Sequence, residues 1–543
     1  MSSTLSASHL DSIKSTLLDQ ALRYRNVFMD KVFPRLTQQS RATYIAAAIG
    51  IFVAAKFYSI FAYPRNLRHI KHAPLLPYLA SFIKKDTTIH RAKRFIIPGY
   101  KESNGFMVVY DQFGWTINVS NPEAVKTILY KTDIFPKNDN NDMMPADTLI
   151  RKFFGTTNLA LANGHEWMKR RKIANPVFHR SMPVKTFTHL TEKLIKQIDN
   201  TEGQVPIQPL LQRFTLDAIG LVGFGFDFNA IETPDGEWVT TYNAIADNIA
   251  DFQFLFFPTF DTTLLNLFPA RQKQHKNVEK MDKLFYSIIE HKKKALSKAK
   301  SDVEEGEKDL LTLMIEAGHD ENDKLEPLTS SELRDELVVF FLAGHDTTSN
   351  TLTSALYYLA ANPDIQDKAR KEILDILGDD HSDLSPTLNQ LKEFKYLTNV
   401  MKESVRLASP AQSLVERIAT KDTEVAGTFI PKGSLVKINI LGLHYNPSLW
   451  NEPTKFNPDR FEDGGELESR SSVYSYLPFG GGSRQCIGMN FSLAEQRIAL
   501  SLILRRYELS VPEDSIHKDE LKFSSNLFLN SALDVKLNFK RRY

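Results

Sequence analysis

The chain is almost devoid of cysteine. Cys486 is the only one among 543 residues, which excludes an intramolecular disulfide and any zinc or iron–sulfur site built from several thiolates. A reducing compartment fits that usage without being required by it. Surplus charge is missing as well. Against 67 basic residues stand 65 acidic ones, and a net charge of +2 gives no field that argues for nucleic acid as a partner. Repeats and low-complexity tracts are absent, and 24 glycines with 25 prolines are no excess, so collagen-like and disordered classes fall away. What remains is an ordinary globular composition, 42 % apolar and 24 % charged, with enough chain for a large buried core.

Long apolar runs are equally scarce. Residues 44–63 form the one clear case, interrupted only by Lys56, and match the length that crosses a hydrocarbon core of about 30 Å as a helix. A lysine near the end of such a helix reaches outward on its own stem. The polar leader 1–43 shows no small-residue cleavage site, which argues against a removed signal peptide. A core helix of a soluble body fits the same run. The three prolines and basic cluster of 64–77 favour an anchor followed by a hinge. Sidedness is less clear. Arg23, Arg25, Lys31, Arg35 and Arg41 precede the run and Arg65, Arg68 and Lys71 follow it, so the positive-inside rule does not favour a cytosolic C-terminal body. In the leader, Leu10, Ile13, Leu17, Leu18, Ala21 and Leu22 make a loose helical stripe suited to a membrane surface. Asp11, Asp19 and Asp30 count against mitochondrial targeting.

The body, 78–543, reads as one domain, mainly α with small β-sheets. Period-two patterns at 106–110 and 115–119 flank a turn and predict a hairpin, and further strands are expected at 423–430, 434–440 and 523–538. Charged stretches at 291–309 and 375–385 read as exposed connections. A capping box, Thr329-Ser-Ser-Glu332, and the stop Asn362-Pro363 bound one long helix over 329–361. Its middle, Ala343-Gly-His-Asp-Thr-Thr348, is a cluster of poor helix formers, with Thr347 placed to bond back to the Ala343 carbonyl. A buried kink explains such a stretch as well as a functional groove does.

Cys486 sits in Phe479-Gly-Gly-Gly-Ser-Arg-Gln-Cys-Ile-Gly488. A lone cysteine is usually a small buried hydrophobe. Here glycines let the backbone approach a flat object closely, and freed N–H groups together with the following helix's N-terminal end favour a thiolate. One sulfur makes no zinc site, but a macrocycle that supplies four nitrogens needs just one strong protein ligand. The spacing Phe479–x–x–Gly482–x–Arg484–x–Cys486–x–Gly488 resembles the haem-binding loop of the cytochrome P450 family, in its eukaryotic microsomal, fungal-like form.

The resemblance implies a P450 fold with a single N-terminal transmembrane helix and haem b as cofactor. It implies Cys486 as iron ligand, the thiolate pushing electron density toward O–O cleavage. It makes Ala343 and Gly344 the floor of an oxygen groove and Asp346 with Thr347 an acid–alcohol proton relay. His345 points elsewhere on the helix and is expected only to line the pocket or hold structure. Glu403 and Arg406, an i, i+3 pair that ordinarily reads as a surface ion pair, would join Arg460 in holding the loop behind Cys486. His444-Tyr-Asn-Pro447, Trp450 and Pro453 fit the approach to that segment. Trp167 and Arg171, four apart and so on one helical face, would contact the haem propionates with Arg417 and Arg484. Lys169, Arg170 and Lys172 offer a basic docking face.

No flavin or nicotinamide region follows Gly488, so electrons are expected from a separate NADPH-dependent reductase, with cytochrome b5 as an auxiliary donor. The implied function is a monooxygenase of lipophilic substrates, bound to the endoplasmic reticulum with its body in the cytosol. Two other readings stand beside it: a haem-thiolate isomerase or dehydratase acting on peroxides, and a non-enzymatic haem or lipid binder. Pocket walls are expected from 136–160, 208–260, 337–348, 411–416 and 523–530. Phe252, Phe254, Phe256 and Phe257 either line a channel or pack a core.

Overall fold

A computed structural model describes Arg23 and residues 40–138, 144–179, 182–246, 248–298, 308–317, 326–380, 384–469, 472–525 and 529–543. Most of the leader, including its helical stripe, lies outside the described residues. The chain separates into two units, Met1–Tyr63 and Pro64–Tyr543.

The first unit carries helix α1 (Arg41–Phe61). Ser40 caps it, its hydroxyl accepting from the Thr43 N–H at 3.3 Å, which sets the start slightly before the apolar run. Ile51, Phe52 and Tyr58 are about seven-tenths exposed. Among the described residues, Ala42–Leu67 is the one stretch long and apolar enough to cross a membrane.

The second unit is mainly helical. In chain order its principal elements are β1 (Phe106–Asp111), β2 (Gly114–Val119), α2 (Gly164–His179), α3 (Val184–Asp199), β3 (Val205–Pro206), α4 (Ile207–Ile219), α5 (Glu237–Ala246), α6 (Pro269–Lys298), α7 (Ser330–Ala361), α8 (Lys395–Leu407), β4 (Arg417–Ile418), β5 (Thr423–Val425), β6 (Thr428–Ile430), β7 (Leu435–Ile438), α9 (Met489–Arg506), β8 (Tyr507–Ser510) and β9 (Lys536–Arg541). The sheets are small: β1-β2-β7-β4, β3-β9-β8 and β5-β6. The expected hairpin is β1–β2, antiparallel in register Phe106 to Val119, and β7 adds to β2 in parallel.

Two expectations are corrected. The segment read as a hinge, 64–77, is part of the body: Leu67, Ile70 and Ala73 are buried, and main-chain bonds tie Lys71 and Ala73 to Val108 of β1. Its prolines shape a packed turn rather than a flexible link. Among the described residues, the strand expected over 523–538 is β9, with a bridge from Phe523 to Ala532 before it. Serines and an asparagine interrupt the alternation there.

Helix α7 runs unbroken through the core. Thr329 and Glu332 close the capping box reciprocally, and Asn362 ends the helix. Gly344 is there because α4 lies against it: a Cβ would meet Ile219 Cγ1 at 2.7 Å. Thr215 of α4 donates to the His345 carbonyl at 3.0 Å across the same contact. Arg170 of α2 reaches α7 as well, pairing with Glu332 and Glu336 at 2.8 Å each.

Candidate active site

The cysteine loop is held from behind. Glu403 and Arg406 are fully buried on α8 and meet in a two-pronged pair, Nε to Oε2 at 2.6 Å and Nη2 to Oε1 at 2.8 Å. Arg460 adds Nε to Oε1 at 3.2 Å, and the Asn457 N–H donates to the same oxygen at 3.0 Å. Arg406 spends its other donors on the carbonyls of His444 (2.7 Å) and Pro453 (2.8 Å). Every group that burial strips of water is thereby repaired by several bonds. His444 passes the order on. Its Nε2 accepts from the Leu477 N–H at 3.2 Å, its ring stacks on Tyr476, and burial pushes its pKa down to about 3, which keeps it a neutral acceptor. Leu477 lies two residues before Phe479, where the loop begins.

Within the loop, Gly480 and Gly482 hold positive φ (66° and 67°), a conformation that glycine adopts without strain. The Cys486 N–H donates to the Phe479 carbonyl at 2.9 Å. Cys486 is exposed, yet burial raises its thiol pKa while the Gly488 N–H and Arg171 pull the other way.

Four cations gather beside it. Arg171 donates to the Gln485 carbonyl at 3.0 Å. Arg484 donates to the Ala162 carbonyl at 2.7 Å, with its guanidinium 4.1 Å over the Trp167 ring. Arg417, buried, donates to the Phe135 carbonyl at 2.7 Å. The fourth is Lys137, which the sequence reading missed. It bridges to Arg417 as a strand partner and donates to the Ala160 carbonyl. Asn163 ties the group together, bonding both main-chain ends of Lys137 and the Arg484 guanidinium. None of the four pairs with a described carboxylate. Burial, then Arg484, Arg417 and Arg171, push Lys137 down to about 7, and burial first pushes Arg417 and Arg484 down to about 10. Such a cluster is complementary to a ligand with two carboxylates, as haem has, and that is the observation on which haem fits this site.

Lys137 supplies a pH test. A lysine held near 7 must gain a proton to bind a carboxylate. Haem affinity is therefore expected to fall as pH rises from about 7 toward the ordinary lysine value of 10.5. Lys137→Arg, always charged, should flatten that dependence; transfer of haem to a scavenging apoprotein across this range measures it.

The middle of α7 is partly open. Ala343 is exposed and Thr347 half-buried in a helix whose flanking turns are buried. Both border a cavity of ≈ 370 Å³ with Phe113, Ile150, Phe154, Leu255, Val339 and Leu342 among its apolar lining. Thr347 Oγ1 donates to the Ala343 carbonyl at 2.7 Å. Asp346 is buried and accepts from the Tyr242 hydroxyl, and its Oδ1 lies 3.2 Å from His345 Nε2. The expectation that His345 turns away is thus corrected: its ring folds back toward the adjacent carboxylate because Nδ1 is anchored on the Phe341 carbonyl at 2.8 Å. The wall segments were legible from their apolar content; Phe113, in the hairpin turn, was not.

The phenylalanine cluster divides. Phe254 is buried under the Arg271 guanidinium, Phe252 and Phe256 border cavities, and Phe257 is exposed. The docking face is corrected too. Lys169 and Arg170 are buried, Arg170 committed to α7, which leaves Lys172 beside Trp167 and Arg171 along an open groove.

A lone cysteine in a glycine loop beside a cluster of cations without described carboxylate partners fits a haem-thiolate protein. The comparisons agree. A family profile, Cytochrome P450, matches residues 75–539. The chain is 31 % identical over 423 residues to "Cytochrome P450 4c21" of Blattella germanica, covering 75 % of this chain and 81 % of that protein. It is 28 % identical to "Cytochrome P450 3A5" of Homo sapiens, covering 75 % and 79 %. The solved "Crystal structure of cytochrome P450DA heme domain" superposes with a TM-score of 0.72 at 23 % identity, over 87 % of this chain and 98 % of that one, a likeness of fold. The chain belongs to the cytochrome P450 family, and its cofactor is haem.

Proposed function

We propose that the protein oxygenates a lipophilic substrate with electrons from a separate NADPH-dependent flavoprotein reductase, anchored by α1 to the endoplasmic reticulum. The observation that carries this reading is the apolar cavity meeting Ala343 and Thr347 on α7. Cys486 would ligate the iron, and Lys137, Arg171, Arg417 and Arg484 with Trp167 would hold the two propionates. Thiolate-ligated haem supplies the activation of dioxygen.

The chain's own residues do the rest. The apolar lining takes up the substrate and excludes water. The Thr347 hydroxyl, at rest on the Ala343 carbonyl, holds a proton one turn from the open backbone of the groove. Asp346 stands beside it as the acid that replaces that proton. The basic groove along Trp167, Arg171 and Lys172 lies on the cysteine side, where an acidic reductase surface would dock. An isomerase that rearranges peroxides has no need of this relay, so Asp346 and Thr347 speak against that alternative.

The test is turnover in vesicles. Oxygen and NADPH consumption that require both reductase and substrate support the reading; peroxide rearrangement without reductase contradicts it. Thr347→Ala is expected to raise peroxide release per NADPH about tenfold or more while the Soret band stays in place. Unaltered coupling would remove Thr347 from the relay.

A further inference from the structure

Three consecutive residues of α7 border three different cavities. Thr347 lines the apolar one. Asp346 lines a second, polar one of ≈ 490 Å³. His345 lines a third of ≈ 100 Å³, together with Gln212, Arg213 and Asn243. Tyr242 borders the last two. An acid–alcohol relay accounts for Thr347 and Asp346. It leaves the other two unexplained.

Proton positions follow from the atoms. His345 Nδ1 faces the Phe341 carbonyl, which can only accept, so Nδ1 carries the hydrogen. Nε2 is then the one position where this ring gains or loses a proton, and it faces Asp346 Oδ1 at 3.2 Å. That approach is off line, so Oδ1 receives no in-line hydrogen bond, whereas Oδ2 is taken by the Tyr242 hydroxyl. The ring has little freedom to swing. Tyr242 and Phe341 stand edge-on to it, with centroids 4.7 and 4.9 Å away.

We propose that His345 and Tyr242 are positioning residues that keep Asp346 loaded with one proton: Tyr242 fixes Oδ2, and His345 Nε2 recharges Oδ1 from the small cavity. The proton leaves the imidazolium Nε2 for the carboxylate Oδ1, and the neutral ring takes another from solvent hydronium that reaches that cavity and is left as water; no electrons move. Histidine suits the task because one ring nitrogen can pass a proton while the other stays bonded. Facing these groups are Arg213 of α4 in the small cavity, Tyr242 of α5, and Lys85, Arg91, Asp251 and Asp534 around the larger one. The inference rests on the monooxygenase reading of the site.

The haem-loaded full chain with reductase, its His345→Gln variant and its Tyr242→Phe variant test it through peroxide released per NADPH from mildly acid to mildly alkaline pH. An infrared pH-difference spectrum of the resting ferric protein, which needs no turnover, runs beside it. In the unaltered protein the peroxide fraction is expected to climb with pH along a one-proton curve, with imidazole and carboxyl bands changing together. His345→Gln should give a flat profile, about tenfold more peroxide at neutral pH, and loss of both bands. Tyr242→Phe should keep the curve and move its midpoint. A His345→Gln protein with unaltered peroxide fraction and curve, or a difference spectrum lacking the imidazole band, overturns the proposal. Should His345→Gln lose haem, Asp346→Asn decides: its imidazole band should shift, and an unmoved band overturns the proposal. Absence of reductase-driven turnover in the unaltered protein would instead sink the monooxygenase reading, and the infrared arm would still decide on the proton.

Discussion

Glu403→Ala is expected to leave a protein that neither folds to full stability nor retains haem. Removing this carboxylate strands Arg406 and Arg460, both buried, and unties Asn457 in the same step. Breaking a buried pair from one side costs about 3–5 kcal/mol, a large share of the roughly 5–15 kcal/mol by which a domain is stable. The damage also travels. Arg406 holds the His444 carbonyl, and His444 holds Leu477 at the entrance of the cysteine loop. Urea midpoints and haem content of purified protein measure both effects. A variant with normal midpoint and full haem would show that the cluster does not organise the loop.

Cys486→Ala should behave in the opposite way. The side chain is exposed and no described side chain bonds its sulfur, so its loss is expected to change stability by no more than about 0.5 kcal/mol. Function should vanish. The reduced, CO-treated protein loses its red-shifted Soret band, and product formation drops to background. The urea midpoint of the haem-free protein stays where it was. A variant that keeps the band would place the iron ligand elsewhere; one that unfolds would make Cys486 a packing residue instead.

Local signals were readable where one segment carries them whole. The Thr329 capping box and the Asn362-Pro363 stop fixed the long helix, and the alternation of 106–119 fixed the hairpin. Glu403, Arg406 and Arg460 were legible as a group only through the family pattern, since their apolar neighbours suggested burial but not which partners meet. Lys137 was invisible. A single lysine after Phe135-Pro136 has no period, and only its pairing with Arg417, far along the chain, brings it to the cations. Arg170 looked like surface charge because its partners, Glu332 and Glu336, lie on another helix. His345 was misplaced for a different reason. Helical rotation separates successive Cα–Cβ directions by about 100°, and a ring tethered to the preceding turn bends back across that angle.

The proposed function depends on a bond between the Cys486 sulfur and haem iron. Iron-edge X-ray absorption on the purified haem-loaded protein addresses it directly. A Cys486 ligand predicts a sulfur neighbour alongside the four porphyrin nitrogens, lost in Cys486→Ala. A first shell of nitrogen alone in the unaltered protein, with an imidazole in the axial position, would contradict it.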